Sequence, residues 1–216
     1  MEITYFGHSS FKIKGKLTTV VTDPFDPEMV GLKFPKIEAD ILTISHAHQD
    51  HSKAELVNVT RKIIHGPGEY EIAGTSIIGF ATYHDNQKGL ERGKNTIFVI
   101  EMDNLRVCHL GDLGHELSEN QVEDIGQIDV LMVPVGGEYT IGPEEAVKVV
   151  SDIEPKIIIP MHYQVEGLDP KSFSGLKPVN VFVTQMGLPS QTQAKLMLKD
   201  TDLSSDEQRI VILEKN

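Results

Sequence analysis

Through the first half of the chain, apolar and polar side chains alternate in short runs that end at Gly, Ser or Asp. EITYFG, SFKIKG and LTTVVTD are three such runs. Residues two apart on an extended chain share a face, so this spacing predicts a meander of half-buried strands. ADILTISH breaks the alternation. It is apolar almost throughout, as expected of a strand covered on both faces. SKAELVNV then reads as a short helix with Ser52 as its N-cap. RKIIHG, YEIAG and TSIIGFATYH read as further strands, and NTIFVIE and LRVCHLGD flank Asp103-Asn104, a pair suited to a hairpin turn.

The second half alternates differently. SENQVEDIG reads as a helix, DVLMVPVGG as a buried strand, and GPEEAVKVVSDIEP as a helix with Pro143 near its start. KIIIPMHY is a strand and PKSFSGL a short helix. VNVFVTQ, AKLMLKD and EQRIVILEK are expected to close the chain as strands. No linker or low-complexity segment interrupts the pattern. The expectation is an α/β chain forming a single domain over residues 1–216, with two packed sheets and outer helices.

Composition narrows the function. At 216 residues, folding buries roughly 70% of the unfolded surface, so no metal is needed to hold the fold together. Lys and Arg number 20 against 32 Asp and Glu, a net charge of −12, which argues against a broad nucleic-acid or anionic-membrane surface. The single cysteine, Cys108, excludes an intramolecular disulfide, and any zinc site must be built from His and Asp. The N-terminus shows strand patterning rather than a basic segment followed by an apolar one, and no apolar run approaches the ~20 residues that cross a bilayer. A soluble cytoplasmic protein is the expectation.

Chemistry is concentrated where ADILTISH ends. His46, His48, Asp50 and His51 follow within six residues, in the form H-x-H-x-D-H. Buried imidazoles need partners, and a buried carboxylate is costly unless paired or metal-bound, so the cluster requires water or a metal ion. Alternate residues at a strand end point the same way, which lets His46 and His48 grip one ion together. Asp50 and His51 continue into the turn, in reach of a neighbouring ion. Other metal-capable side chains also follow strands: His84 in ATYHDN, Asp112 in HLGDLGH and His162 in IIIPMHY. Each alone is an ordinary loop residue, but loops at strand ends converge on one edge of a layered fold.

This series of H-x-H-x-D-H, a lone His, a Gly-Asp and a final His resembles the metallo-β-lactamase-fold hydrolases over nearly the whole chain. GHSSFKIKG, DPF, HLGDLGH, VPVGGEYTIGPEEA and PMHY resemble the subgroup of small metal-dependent hydrolases that includes the L-ascorbate-6-phosphate lactonase. The resemblance implies an αββα four-layer sandwich, two mixed sheets flanked by helices, with a two-metal site on one edge. By position it implies that His46, His48 and His84 hold the first metal and Asp50, His51 and His162 the second, with Asp112 bridging. Two divalent ions are implied, zinc first, with manganese or iron also compatible with this donor set. β-Lactamases with a cysteine ligand would need a thiolate at Asp112. Cys108 lies four residues earlier inside a strand and reads as a packing residue.

The implied reaction is hydrolysis by a water shared between the two ions and activated by them, with Asp50 orienting it and carrying its proton to the leaving group. Lys88, Arg92 and Lys94 form a basic island in an acidic chain, suited to a substrate phosphate or carboxylate or else simply solvated. Tyr139, before a helix start, and His8 and His115 are further candidates for substrate contact. His109 reads as a core or supporting residue and His65 as a surface one. The expected activity is a lactonase-like hydrolase of a small anionic molecule, with no nucleic-acid or membrane partner. A phosphodiesterase or nuclease of the same fold, or a metal-binding protein without turnover, are the alternatives.

Overall fold

β1 (Glu2–Gly7), β2 (Ser10–Lys14) and β3 (Thr19–Thr22) form the expected meander, each antiparallel to the one before. β4 (Ile37–Ile44) and β5 (Val57–His65) then add in parallel. With β13 (Leu196–Met197) pairing against β1, they complete a six-stranded mixed sheet in the order β13-β1-β2-β3-β4-β5. The computed structural model describes residues 1–203 and 207–216.

The second sheet has eight strands. β6 (Gly68–Ile72), β7 (Thr75–Tyr83), β8 (Lys94–Met102) and β9 (Leu105–His109) run antiparallel in sequence. β10 (Val130–Pro134), β11 (Ile157–Met161) and β14 (Arg209–Leu213) continue from β9 in parallel, and β12 (Ser190–Gln193) forms the far edge. Asp103 and Asn104 join β8 to β9 with φ of 54° and 61°. Two left-handed residues are what a type I′ hairpin turn requires, and Asp and Asn tolerate them.

The sheets pack face to face. Ile3, Phe11, Ile13, Val20 and Ile41 of the first meet Phe98, Ile100, Val130, Met132 and Ile159 of the second, all fully buried. The outer face of the second sheet carries α2 (Glu119–Ile125), α3 (Pro143–Ile153) and α5 (Val179–Met186), through Ile125, Ala146, Val149, Val150 and Phe182. α1 (Pro27–Val30) and α4 (Pro170–Phe173) close a separate apolar cluster, with Val30 and Phe173 beside Phe6 and Phe25. Two mixed sheets flanked by helices are thus the architecture. No helix among the described residues is long and apolar enough to cross a membrane.

Strand direction decides where the chemistry gathers. β1, β3 and β4 point one way in the first sheet, and β7, β9, β10 and β11 run in one common direction in the second. His8, Asp23 and His46 follow the C-terminal ends of the first three, and His84, Asp112 and His162 follow those of β7, β9 and β11.

Four segments differ from expectation. SKAELVNV forms only a 3-10 turn at Ala54–Leu56 before entering β5. The Ser52 hydroxyl donates to the carbonyls of His48 and Ala47 and does not cap a helix. Val57 and Val59, two apart and so on one face of a strand but opposite faces of a helix, pair in parallel with Ile37 and Ala39 of β4. VNVFVTQ is α5, not a strand. Its β-branched run favours extension, but Val179, Phe182, Val183 and Met186 also recur at helical spacing. Docking that stripe, with Phe182 fully buried, decides the outcome, and Gly187 at φ 67° ends the helix. AKLMLKD contributes only the two-residue β13, and SQTQ forms an edge strand whose polar, mostly exposed side chains gave no period-two signal.

Candidate metal centre

Asp23 organises the turn after β4. Its carboxylate is fully buried, accepts the Ser45 amide at 2.8 Å and the Ser45 hydroxyl, and lies 2.9 Å from His51 Nδ1. A carboxylate only accepts, so His51 donates from Nδ1 and turns Nε2 inward, where it offers a lone pair once a cation displaces its proton. With its own proton committed to Asp23, the Ser45 hydroxyl accepts from His46 Nδ1 at 2.9 Å. His46 Nε2 therefore also presents a lone pair. A carboxylate behind a histidine in this way fixes the tautomer and raises ligand basicity, as in metal sites generally.

The inward nitrogens converge on Asp112. Its Oδ2 lies 3.1 Å from His51 Nε2, 3.2 Å from His84 Nε2, 3.3 Å from His162 Nε2 and 3.9 Å from His46 Nε2. Two donors on one tetrahedral zinc, each ~2.0–2.1 Å from it, stand about 3.3 Å apart, so these separations suit shared cations. The Nε2 atoms of His46, His51 and His162 and Oδ1 of Asp112 are buried with no hydrogen-bond partner. Each such atom costs ~1–3 kcal/mol if left unsatisfied, a penalty that a bound cation removes. Three groups bring one donor atom from each residue within 4.8 Å of the others: His46, His48 and His84; His8, Asp50, His51 and His162; and Asp23, His46 and His51, in which the Asp23 carboxylate is already engaged by Ser45 and His51 Nδ1. The donor set fits divalent metal.

Protonation follows from the packing. Burial, reinforced by His51, pushes His46 down to about 3, and burial also lowers His48, which keeps both imidazoles in the neutral form that metals require. Burial opposes ionisation of Asp112, but His162 and His51 beside it hold it well below the ordinary carboxylate range. Burial also opposes a charge on His51, yet the surrounding Asp112 and Asp50 hold it well above the ordinary imidazole value.

Further residues support the cluster. Asn95 accepts the Asp112 amide at 3.0 Å and donates to the Leu110 carbonyl and to Thr82, which shapes the turn after β9. In the same turn Gly111 has φ 57°, and a Cβ there would lie 2.3 Å from Asn95 Oδ1. His8, Asp23 and His162 all have positive φ, 55°, 39° and 52°. Such strain costs of order 1–3 kcal/mol each and persists only where the surroundings enforce it. Asp23 and Asn95 were not anticipated from sequence. The available signal at Asp23 was an acid directly after a buried apolar strand and before Pro24.

The residues expected to contact substrate separate. A cavity of about 610 Å³ opens over His48, Asp50, His84 and Asp112, and Arg92, Tyr139 and Lys171 also line it. Tyr139 donates its hydroxyl to the Ser172 carbonyl at 2.6 Å, and the Arg92 guanidinium lies 5.6 Å from its ring. His8 is buried behind the cavity, its Nε2 3.0 Å from Asp50 Oδ2, and its carbonyl accepts the His162 amide at 2.8 Å. His115 lines a neighbouring cavity of about 510 Å³, while Lys88 and Lys94 are exposed and line neither. His109 is buried against Phe11, with Nε2 2.8 Å from the Ser9 carbonyl, and Cys108 is buried in the helix-side core. His65 is exposed.

Fold and site together define a metal-dependent hydrolase. Residues 2–162 match the Beta-lactamase superfamily domain, and the chain belongs to that family. A UPF0173 metal-dependent hydrolase of Methanoculleus marisnigri is 32% identical over 186 residues, covering 76% of this chain and 81% of the relative. Another from Thermococcus onnurineus is 29% identical over 206 residues, covering 82% and 92%. A Thermotoga maritima crystal structure, described as a candidate Zn-dependent hydrolase of the metallo-β-lactamase superfamily, is 40% identical, with a TM-score of 0.79 over 98% of this chain and 97% of that one.

Proposed function

We propose that this chain is a binuclear hydrolase in a single domain, acting in the cytoplasm on a small anionic ester, with lactone opening as its type reaction. His46, His48 and His84 would hold one ion and Asp50, His51 and His162 the other, with Asp112 between them. Zinc suits five imidazoles and two carboxylates, and manganese or iron would also be accepted. The observation that carries this reading is the convergence of buried, partnerless His46, His51 and His162 nitrogens around one Asp112 oxygen.

When bound, the ions supply Lewis acidity, activating water and polarising the attacked carbonyl. The chain does the rest. Asp50 lines the cavity with its carboxylate fixed by His8, placed to take the proton of the attacking water and pass it to the leaving alkoxide as the ring opens. Burial opposes ionisation of Asp50, but His51 and then His8 keep it a carboxylate far into acid, so at neutral pH it is ionised and accepts a hydrogen bond from the attacking water. Arg92 and Lys171 supply positive charge at the cavity wall for the substrate's acid group.

The test is metal analysis combined with a hydrolysis panel of lactones, phosphodiesters, thioesters and β-lactams. Two ions per chain and turnover confined to acidic lactones are expected. A preference for phosphodiesters would replace the substrate assignment, and a metal-loaded protein inert on every class would remove the catalytic reading. An Asp50→Ala protein that keeps both ions and full turnover would refute its proton-carrying role.

A further inference from the structure

The loop between His84 and β8 is built around a single carboxylate. Asp85 is 4% exposed, and its Oδ1 accepts the amides of Gln87 and Gly89, both at 2.8 Å. Its Oδ2 accepts those of Glu91 at 3.0 Å and Arg92 at 2.8 Å. Lys88 and Gly89 lie in the left-handed region, φ 58° and 81°, within this turn. The base of the loop is closed by the His84 amide on the Gly93 carbonyl, 3.0 Å, and by the Gly93 amide on Gly89, 3.2 Å. Gly114 packs so closely that a Cβ there would lie 2.3 Å from the Asp85 nitrogen. Burial works against the Asp85 charge, but the four amides more than offset it and bring the carboxyl to about 2.

Arg92 is the last residue gripped in this way, and it stands between two cavities of opposite character. One is the cavity over the candidate metal ligands, whose only carboxylates among the described residues are Asp50 and Asp112. The other presents Glu91, Glu116, Glu138 and Glu145. An anion meeting Arg92 is repelled from the second and admitted by the first, where Lys171 adds a further positive charge. The nearest carboxylate to the guanidinium is that of exposed Glu91, 3.6 Å from Nη1, a long and solvent-screened contact. Donors of Arg92 therefore remain available, while Met29 and Phe173 give the cavity an apolar wall.

We propose that Asp85 is a positioning residue that holds residues 85–93 in the one shape delivering Arg92 to the cavity over the candidate metal ligands, where Arg92 receives a carboxylate or phosphate of the substrate. The inference rests on the binuclear-hydrolase reading and adds to it the residue that fixes substrate charge. Asp85 touches no substrate and acts only through the loop. Replacing it with asparagine removes an acceptor oxygen and the charge, which frees the Glu91 and Arg92 amides or those of Gln87 and Gly89. Arg92 then loses its fixed position.

The experiment uses the metal-loaded protein as wild type, Asp85→Asn, Arg92→Gln and the double variant, with succinate and inorganic phosphate as calorimetric probes. In parallel, a carboxylated γ-butyrolactone and its neutral parent serve as substrates. The expected result is at least tenfold weaker probe binding in each single variant, no further loss in the double variant, and unchanged metal content. Preference for the acidic lactone should fall through KM. Amide exchange at Gln87, Gly89, Glu91 and Arg92 should rise at least tenfold in Asp85→Asn and stay unchanged in Arg92→Gln. Comparing the two probes tells a carboxylate site from a phosphate site.

Additive losses, exchange unchanged in Asp85→Asn, or anion binding indifferent to Arg92 would overturn the proposal. So would loss of metal on Asp85→Asn, since Asp85 would then be serving His84. If neither lactone is hydrolysed while anion binding still depends on both residues, the lactonase reading fails and this one stands.

Discussion

The two donor groups of the centre are built differently. His8, Asp50, His51 and His162 are all buried, and every one is tied to another part of the chain: His51 to Asp23, Asp50 to His8, and His162 through its amide to the His8 carbonyl. Of His46, His48 and His84, the last two line the cavity. His48 is exposed, His46 leans on Ser45, and His84, like His162, is tied through its backbone amide while its ring leaves Nδ1 unpartnered. Fixed ligands lose little freedom on binding, whereas loosely held ones must be ordered by the ion itself. On the binuclear reading, the buried group would be the tighter half of the site and the group with exposed His48 the more exchangeable half.

The sharpest way to break that contrast is at the shared residue. Asp112→Ala should strip both ions and lower turnover by about 10³-fold, roughly 4 kcal/mol of lost transition-state stabilisation. Metal analysis that found one ion retained would mean that Asp112 serves a single half. Asp23→Asn should weaken affinity on the buried side about 10–100-fold through His51, and affinity on the open side less, through Ser45 and His46, measurable by competition with a chromophoric chelator.

Stepwise chelation of the unaltered protein should then release one ion well before the other, and His48→Ala should remove the early step alone. The smallest effect is in pH. His51 sits well above its ordinary value in the metal-free site, so at neutral pH it holds a proton that binding must expel. Affinity on the buried side should rise with pH until that raised value is passed. Calorimetry in buffers of differing ionisation enthalpy should show about one proton released as the buried side fills and none as the open side does. Affinity independent of pH would place His51 outside the ligand set.

Legibility in the sequence tracked locality. The 46–51 turn announces itself because all its donors fall within six residues at the end of one apolar strand. His84, Asp112 and His162 were legible only as metal-capable residues after strands and through the family resemblance, since no spacing along the chain sets their mutual distance. Asp23, Asn95 and Asp85 were missed because an acid or amide after a strand has many ordinary uses. Their partners, His51, the Asp112 amide and four amides of one loop, appear only once the backbone is folded. α5 was misread for a related reason: its valines satisfy both periods, and the face of the eight-stranded sheet selects one.

By itself the sequence determined the strands with a single clear period, the capped α2 and α3, and the presence of a metal-suited turn, because each depends on contacts within a few residues. Tertiary structure alone decided which strand ends share an edge, which histidine nitrogen points inward, and that Arg92 rather than Lys88 reaches the cavity. Those outcomes depend on strand direction and on hydrogen bonds between segments more than a hundred and fifty residues apart, such as the His162 amide on the His8 carbonyl.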